Sequence, residues 1–205
     1  MKILVLDNYD SFTYNLVQYI DEILDTKVDV FRNDEISLEA VAAYDTIILS
    51  PGPGLPKDAG IMPELLKTYA ATKNIFGVCL GLQAIGEAFG AKLYNLDKVY
   101  HGVATEIQVL DPAEALFNEV PLTFEAGRYH SWAIDKAEIP SVLKVTAVDE
   151  FGEIMAISHE SYNIKAVQFH PESVMTPQGK QMIANFFGVA FAGGRADLVS
   201  QKIMH

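Results

Sequence analysis

Apolar positions in the first half of the chain follow two alternating rhythms. Unbroken apolar runs at residues 2–6, 46–49 and 75–78, with a shorter one at 28–32, read as strands, and the first, third and fourth of these in chain order as fully buried ones. Between them, apolar residues recur at helical spacing. Asp10 and Ser11 are cap-type residues, and Leu16, Tyr19, Ile20 and Ile23 then share one face. Helical signals return at 61–72 and over Leu80 to Phe89. Ser50-Pro51-Gly52-Pro53-Gly54-Leu55-Pro56 carries too much proline and glycine for helix or sheet, and reads as a loop. This βαβα alternation predicts an α/β fold: an open, mostly parallel twisted sheet with helices on both faces.

The rhythm changes between residues 91 and 170. Short β-rich pieces at 104–110, 122–129, 142–148, 153–158 and 164–169 predict an antiparallel extension of the sheet. A last helix follows Thr176-Pro177, with Met182, Ile183, Phe186 and Phe187 on one face and Pro177 in its first turn. Periodicity fades after Gly193, so one domain at 1–190 and a C-terminal tail at 191–205 are expected.

Composition narrows the class. The 205 residues are 50% hydrophobic, enough for one full core. A net charge of −12 argues against a nucleic-acid footprint or an anionic membrane surface. One cysteine excludes an intramolecular disulfide. No apolar run approaches the ~20 residues of a membrane span, and the N-terminus lacks signal-peptide character. A soluble, cytoplasmic chain is expected. His101, His130, His159 and His205 have no ligand spacing around them, so no metal is expected.

That single cysteine, Cys79, sits in Gly77-Val78-Cys79-Leu80-Gly81, after a strand and before a helix. Strand, sharp turn and helix, with small residues two positions either side, make a nucleophile elbow. The helix start places a thiol at the positive end of the macrodipole, which favours thiolate. Two further features end strands. The Gly52-Pro53-Gly54 loop offers backbone N–H groups to a developing oxyanion. Gln168-Phe169-His170-Pro171-Glu172-Ser173 places His170 and Glu172 two residues apart, so in extended chain they face one way, as the orienting half of a triad. Each feature alone is more often structural. Ligands gather beyond the carboxyl ends of parallel strands, so the Gly52 loop and Cys79 fall on one rim. His170 joins them if strand 164–169 enters the same sheet in the same direction.

With these residues in view, the chain resembles the class I (triad-type) glutamine amidotransferases over roughly residues 2–190. The resemblance rests on Asp7-Asn8-Tyr9-Asp10-Ser11-Phe12-Thr13-Tyr14-Asn15, Ser50-Pro51-Gly52-Pro53-Gly54, Gly77-Val78-Cys79-Leu80-Gly81-Leu82-Gln83-Ala84, Arg128-Tyr129-His130-Ser131 and the His170 block, all in the family's order. The first block and Arg-Tyr-His-Ser point to the chorismate-linked branch: component II of anthranilate synthase and its near-twin in aminodeoxychorismate synthase. The resemblance implies Cys79 as nucleophile, His170 as general acid/base and Glu172 as its partner. It also implies an oxyanion hole from the Gly52 and Leu80 N–H groups, and L-glutamine held by Gly52, Pro53, Gly54, Gln83 and the Ser131-Trp132 segment. The family commonly has His where this chain has Leu82, and Leu where it has Trp132; both changes are expected to affect only packing near glutamine.

The implied activity is glutamine hydrolysis with delivery of ammonia to a chorismate-using synthase subunit (component I), as a hetero-oligomer. No cofactor belongs to this chain; magnesium is expected in the partner. The product is anthranilate, for tryptophan, or aminodeoxychorismate, for folate, or both through a shared subunit. A γ-glutamyl hydrolase or peptidase on the same fold is the more distant alternative, opposed by Gln83 and Arg-Tyr-His-Ser. Tyr9, Asp10 and Ser11, and Tyr100-His101-Gly102 with its exposed-type aromatic character, are candidate partner-facing segments.

Overall fold

A computed structural model describes residues 1–191; the expected tail beyond 191 lies outside the described residues. In chain order the strands are β1 (Ile3–Asp7), β2 (Asp29–Arg32), β3 (Thr46–Leu49), β4 (Asn74–Val78), β5 (Leu93–Asn95), β6 (Val103–Val109), β7 (Thr123–Arg128), β8 (Trp132–Ile134), β9 (Leu143–Asp149), β10 (Ile154–His159) and β11 (Ile164–Val167). The α-helices are α1 (Thr13–Leu24), α2 (Leu38–Val41), α3 (Met62–Tyr69), α4 (Leu80–Ala88) and α5 (Gly179–Phe187).

Nine strands form one sheet in the order β2-β1-β3-β4-β11-β10-β9-β6-β7. The first five run parallel; β10, β9, β6 and β7 continue the sheet antiparallel. Both halves of the architecture expected from the hydrophobic pattern are therefore present. Strand pleating divides the core in two. Leu4, Leu6, Ile47 and Leu49 face α3 and α4 in one apolar cluster, with Leu65, Leu82 and Ile85. Ile3, Val5 and Ile48 face the other way, against Leu16 and Ile20 of α1 and Met182 and Ile183 of α5. No helix among the described residues is long and apolar enough to cross a membrane.

Local departures have local causes. Neither Asp10 nor Ser11 is the N-cap of α1. That position is Phe12, without a side-chain cap, while Asp10 accepts from the Phe12 N–H at 2.8 Å and Asp7 accepts from the Thr13 hydroxyl at 2.8 Å. Pro177 precedes the N-cap Gln178 and so lies outside the first turn of α5. The β5–β8 ribbon and α2 are too short, at three or four residues, for any period to register. β11 stops at Val167, and the chain then leaves the ladder in bends and a turn.

Helix α4 lies close against the sheet because of Gly81. A Cβ there would sit 2.6 Å from the Leu49 carbonyl oxygen and 2.9 Å from the Leu49 Cβ. At Gly86, a Cβ would instead meet the far end of the flexible Ile134 side chain, at 2.6 Å from Cδ1. Helix propensity alone favours alanine at either site by up to ~1 kcal/mol. At Gly81 the backbone clash outweighs that gain, because overpacking costs about 1–3 kcal/mol. Gly81→Ala is therefore expected to lower the denaturant midpoint, and Gly86→Ala to leave it close to wild type. Equal effects at the two sites would remove Gly81 from its role as the point of close approach.

Candidate active site

The site is assembled at the carboxyl ends of β3, β4 and β11. β4 pairs with β11 in parallel, Val78 opposite Val167, and with β3, Gly77 opposite Leu49. His170 is thereby carried to the rim that already bears Cys79 and the Gly52 loop, as the strand direction requires.

Cys79 has φ +53° and ψ −99°, a conformation that non-glycine residues rarely adopt. Its strain, of order 1–3 kcal/mol, is typical of residues held for function. Neighbours enforce it. The Cys79 N–H donates to the Val167 carbonyl at 2.8 Å, and the Cys79 carbonyl accepts from the Gln83 N–H at 3.1 Å. Gly77 is necessary because a Cβ there would meet the Gly81 carbonyl carbon at 2.7 Å. The sharp elbow read from the glycine frame is present.

His170 and Glu172 do pair, but not by strand alternation. The Ser173 N–H donates back to the His170 carbonyl at 3.2 Å, closing a turn with Pro171 at its second position. This turn brings His170 Nδ1 to 2.7 Å from Glu172 Oε1. Both side chains are buried. Loop and strand are stapled together: the His170 N–H donates to the Gly127 carbonyl at 2.9 Å, and the Thr176 hydroxyl donates to the His170 carbonyl at 2.7 Å. Phe12 and Tyr129 pack edge-on against the imidazole, with ring centroids 5.3 and 4.7 Å away. Burial opposes the imidazolium, but Cys79 and the Glu172 carboxylate outweigh it, so the His170 pKa stands well above its ordinary 6.5.

Cys79 lies between two openings. A cleft of about 160 Å³ is lined by Gly52, Pro53, Gly54, Cys79, Gln83, Tyr129, His130, Ser131 and Trp132. All the expected glutamine-contacting residues therefore converge there, apart from Leu80. Leu80 instead touches the loop from beneath: a Cβ on Gly52 would fall 2.8 Å from Leu80 Cδ2 and 2.5 Å from Asn8 Cβ. The Leu80 N–H heads α4, where helical amides lack partners. Neither it nor the Gly52 N–H donates to any group among the described residues. Leu82, by contrast, is fully buried in the apolar cluster and does not line the cleft. A second opening of about 370 Å³, on the far side of Cys79, is lined by Asp10, Phe12, His101, Tyr129 and His170 among others.

The profile of the family described as "Glutamine amidotransferase class-I" matches residues 4–190. The chain belongs to that family. Among curated relatives, the "Bifunctional protein TrpGD" of Thermotoga maritima is 42% identical over 191 residues, 92% of this chain; the chain spans about a third (32%) of that protein's length. The "Aminodeoxychorismate/anthranilate synthase component 2" of Bacillus subtilis is 44% identical over 186 residues, covering 90% of this chain and 94% of the relative. The crystal structure of a putative GMP synthase protein from Thermoplasma acidophilum superposes with a TM-score of 0.80 at 25% identity, covering 92% of each chain.

Several residues of this class-I glutamine amidotransferase do work at the site that the sequence did not announce. Asn8 holds the proline-glycine loop: its N–H donates to Ser50 Oγ and its side-chain amide to the Ser50 carbonyl, both at 2.8 Å. Arg128 is wholly buried, forms an ion pair with Asp149 at 2.6 Å and donates from Nε to His130 Nε2 at 3.1 Å. Tyr100 is buried, not partner-facing, because its ring stacks on that guanidinium at 3.6 Å. His101, its neighbour, is exposed and lines the second opening. Burial, then Arg128, lowers the His130 pKa to about 3, so the ring is neutral at working pH. Among the described residues no group of three or more His, Cys, Asp or Glu is placed to hold a metal ion.

The pairing of His170 with Glu172 makes a pH-dependent prediction. A native pKa above the unfolded value of about 6.5 means that protonation of His170 stabilises the fold. That contribution is complete below about pH 6.5 and is lost as pH rises through the raised native pKa. Glu172→Gln removes the anionic partner, so the His170 ring titration followed by NMR is expected to move down by at least about one unit. Coincident titrations in wild type and variant would show that the carboxylate does not hold the imidazolium.

Proposed function

We propose that this chain is the glutaminase component of a chorismate-aminating synthase, anthranilate synthase in the first instance. The reading is carried by one observation: an elbow cysteine facing a buried His170–Glu172 pair at the head of a cleft lined by the Gly52 loop, Gln83 and Ser131-Trp132. Curated relatives named as synthase components support it.

In this mechanism His170 keeps the proton of Cys79, and the thiolate attacks the side-chain amide carbon of glutamine. The carbonyl oxygen takes up the negative charge, and the N–H groups of Gly52 and Leu80 donate to it. One donor of this kind contributes roughly 3–4 kcal/mol to transition-state stabilisation. As the tetrahedral species collapses, His170 gives its proton to the departing nitrogen, releasing ammonia and leaving a γ-glutamyl thioester. Neutral again, His170 takes a proton from water, whose oxygen attacks the thioester carbon. Collapse of this second tetrahedral species frees glutamate and the thiolate. The balance is glutamine plus water to glutamate plus ammonia.

Ammonia protonates readily in bulk water, so its use by a second active site calls for a sheltered route. The second opening, which reaches Cys79 and His170 from the opposite side to the glutamine cleft, suits that exit. Tyr9 and Val174, 50% and 90% exposed, offer apolar surface to a synthase partner on this side. The shared name of the Bacillus relative favours a second reading, in which one glutaminase serves both the anthranilate and the aminodeoxychorismate synthases.

The full chain should be mixed separately with an anthranilate synthase component I and an aminodeoxychorismate synthase component I, each with chorismate and magnesium. Glutamine-dependent product is expected with the first. In Cys79→Ser that product should vanish, while product formed from added ammonia persists. Glutamine-dependent product surviving in the variant overturns the assignment of Cys79. Product with both partners establishes the shared role, and product with the second alone moves the chain to the aminodeoxychorismate branch.

A further inference from the structure

Gln168 is fully buried, yet it sits in the apolar run Ala166-Val167-Gln168-Phe169. A buried amide must place its donors and acceptor, and here each contact can be oriented from groups with only one possible role. Arg128 Nε can only donate, so His130 Nε2, at 3.1 Å, accepts. The His130 proton therefore lies on Nδ1 and is donated to the Trp132 carbonyl at 2.8 Å. That carbonyl can only accept, which identifies the Gln83 atom 2.9 Å from it as the amide nitrogen. The same nitrogen lies 3.2 Å from Gln168, whose facing atom must then be its oxygen. The Gln168 nitrogen is left pointing at Cys79 Sγ, at 3.6 Å.

We infer that Gln168 is a further catalytic residue, whose side-chain amide donates a hydrogen bond to the Cys79 sulfur and stabilises it as the attacking thiolate. The inference rests on the glutaminase reading of Cys79. Hydrogen bonds to a charged group are among the stronger ones in proteins. Here the donor is desolvated and cannot turn away, because Gln83 holds its oxygen. His170 and Gln168 then divide the sulfur between them: one exchanges its proton, and the other donates without losing its own. Gln83 spends its amide nitrogen within the protein and has only its oxygen free for substrate. It follows that Gln83 accepts from a donor on glutamine and does not bind a carboxylate.

The titratable groups around the sulfur are His170, with Glu172 behind it, Tyr129 on both sides, His130 across the glutamine cleft, and Asp10, Tyr9 and His101 across the second opening. None changes in the variants that test the idea. Gln168→Glu keeps an oxygen for Gln83 but replaces the donor to Cys79 with an acceptor. Gln168→Met removes both contacts at similar volume. Alkylation of Cys79 by iodoacetamide, followed across pH 5–10 on the full chain, needs neither substrate nor partner. At pH 6–7 both variants are expected to react on the order of tenfold more slowly than wild type, with the rates converging toward pH 10. A role confined to anchoring Gln83 would leave Gln168→Glu on the wild-type curve. Such coincidence, or slowing by one factor at every pH, overturns the inference. Parallel labelling of wild type with a diazo-ketone analogue of glutamine separates the two ideas. If Cys79 is not the labelled residue, the glutaminase reading falls and this inference with it. Labelling at Cys79 with coincident alkylation profiles removes this inference alone.

Discussion

The alignment of β3, β4 and β11 as adjacent parallel strands is the constraint on which the site depends. With Gly77 opposite Leu49 and Val78 opposite Val167, the chain leaves all three strands at nearly the same height. A one-residue slip would turn every inward side chain outward. The buried alternation on both faces, with Leu4 and Leu6 toward one core and Ile3 and Val5 toward the other, makes such a slip costly. Precision at the rim thus comes from burial on both sides of the sheet, in regions far from any reacting atom.

The strained elbow illustrates how that rigidity is used. A positive φ at Cys79 is unfavourable by itself, and it survives because three separate contacts determine the backbone there: the Val167 carbonyl, the Gln83 N–H and the glycine-only approach of Gly77 to Gly81. The same geometry exposes the sulfur to both openings while the rest of the residue stays buried. Relaxing any one contact would let the cysteine settle into ordinary helical backbone and turn its sulfur away from His170.

Periodicity makes the sheet, its parallel-to-antiparallel change and the positions of Cys79, His170 and the Gly52 loop legible, because these features repeat over five or more residues or concentrate unusual residue types. Where contacts join residues far apart in sequence, less can be read. Tyr100 has the character of a surface aromatic because nothing nearby in sequence announces the Arg128 guanidinium beneath it. Strand alternation predicts the pairing of His170 with Glu172, whereas a proline turn supplies it. Gln168 carries a signal that is readable in principle: a lone amide inside a buried apolar run has to be satisfied, and the nearest chemistry is two residues away.

Two buried charged pairs lie within this one site, Arg128 with Asp149 and His170 with Glu172. Buried ion pairs seldom add much net stability, since desolvation offsets most of the attraction. Their value here is directional. Arg128, permanently charged and pinned by Asp149, leaves His130 a single tautomer, and that choice passes through the Trp132 carbonyl and two glutamine amides to the sulfur. Glu172 imposes orientation on His170 from the other side. Neutral amides alone could reverse by flipping in concert, at little energetic cost. A guanidinium at the far end cannot accept a hydrogen bond, so the chain has one sense only, and the cysteine receives a donor at all times.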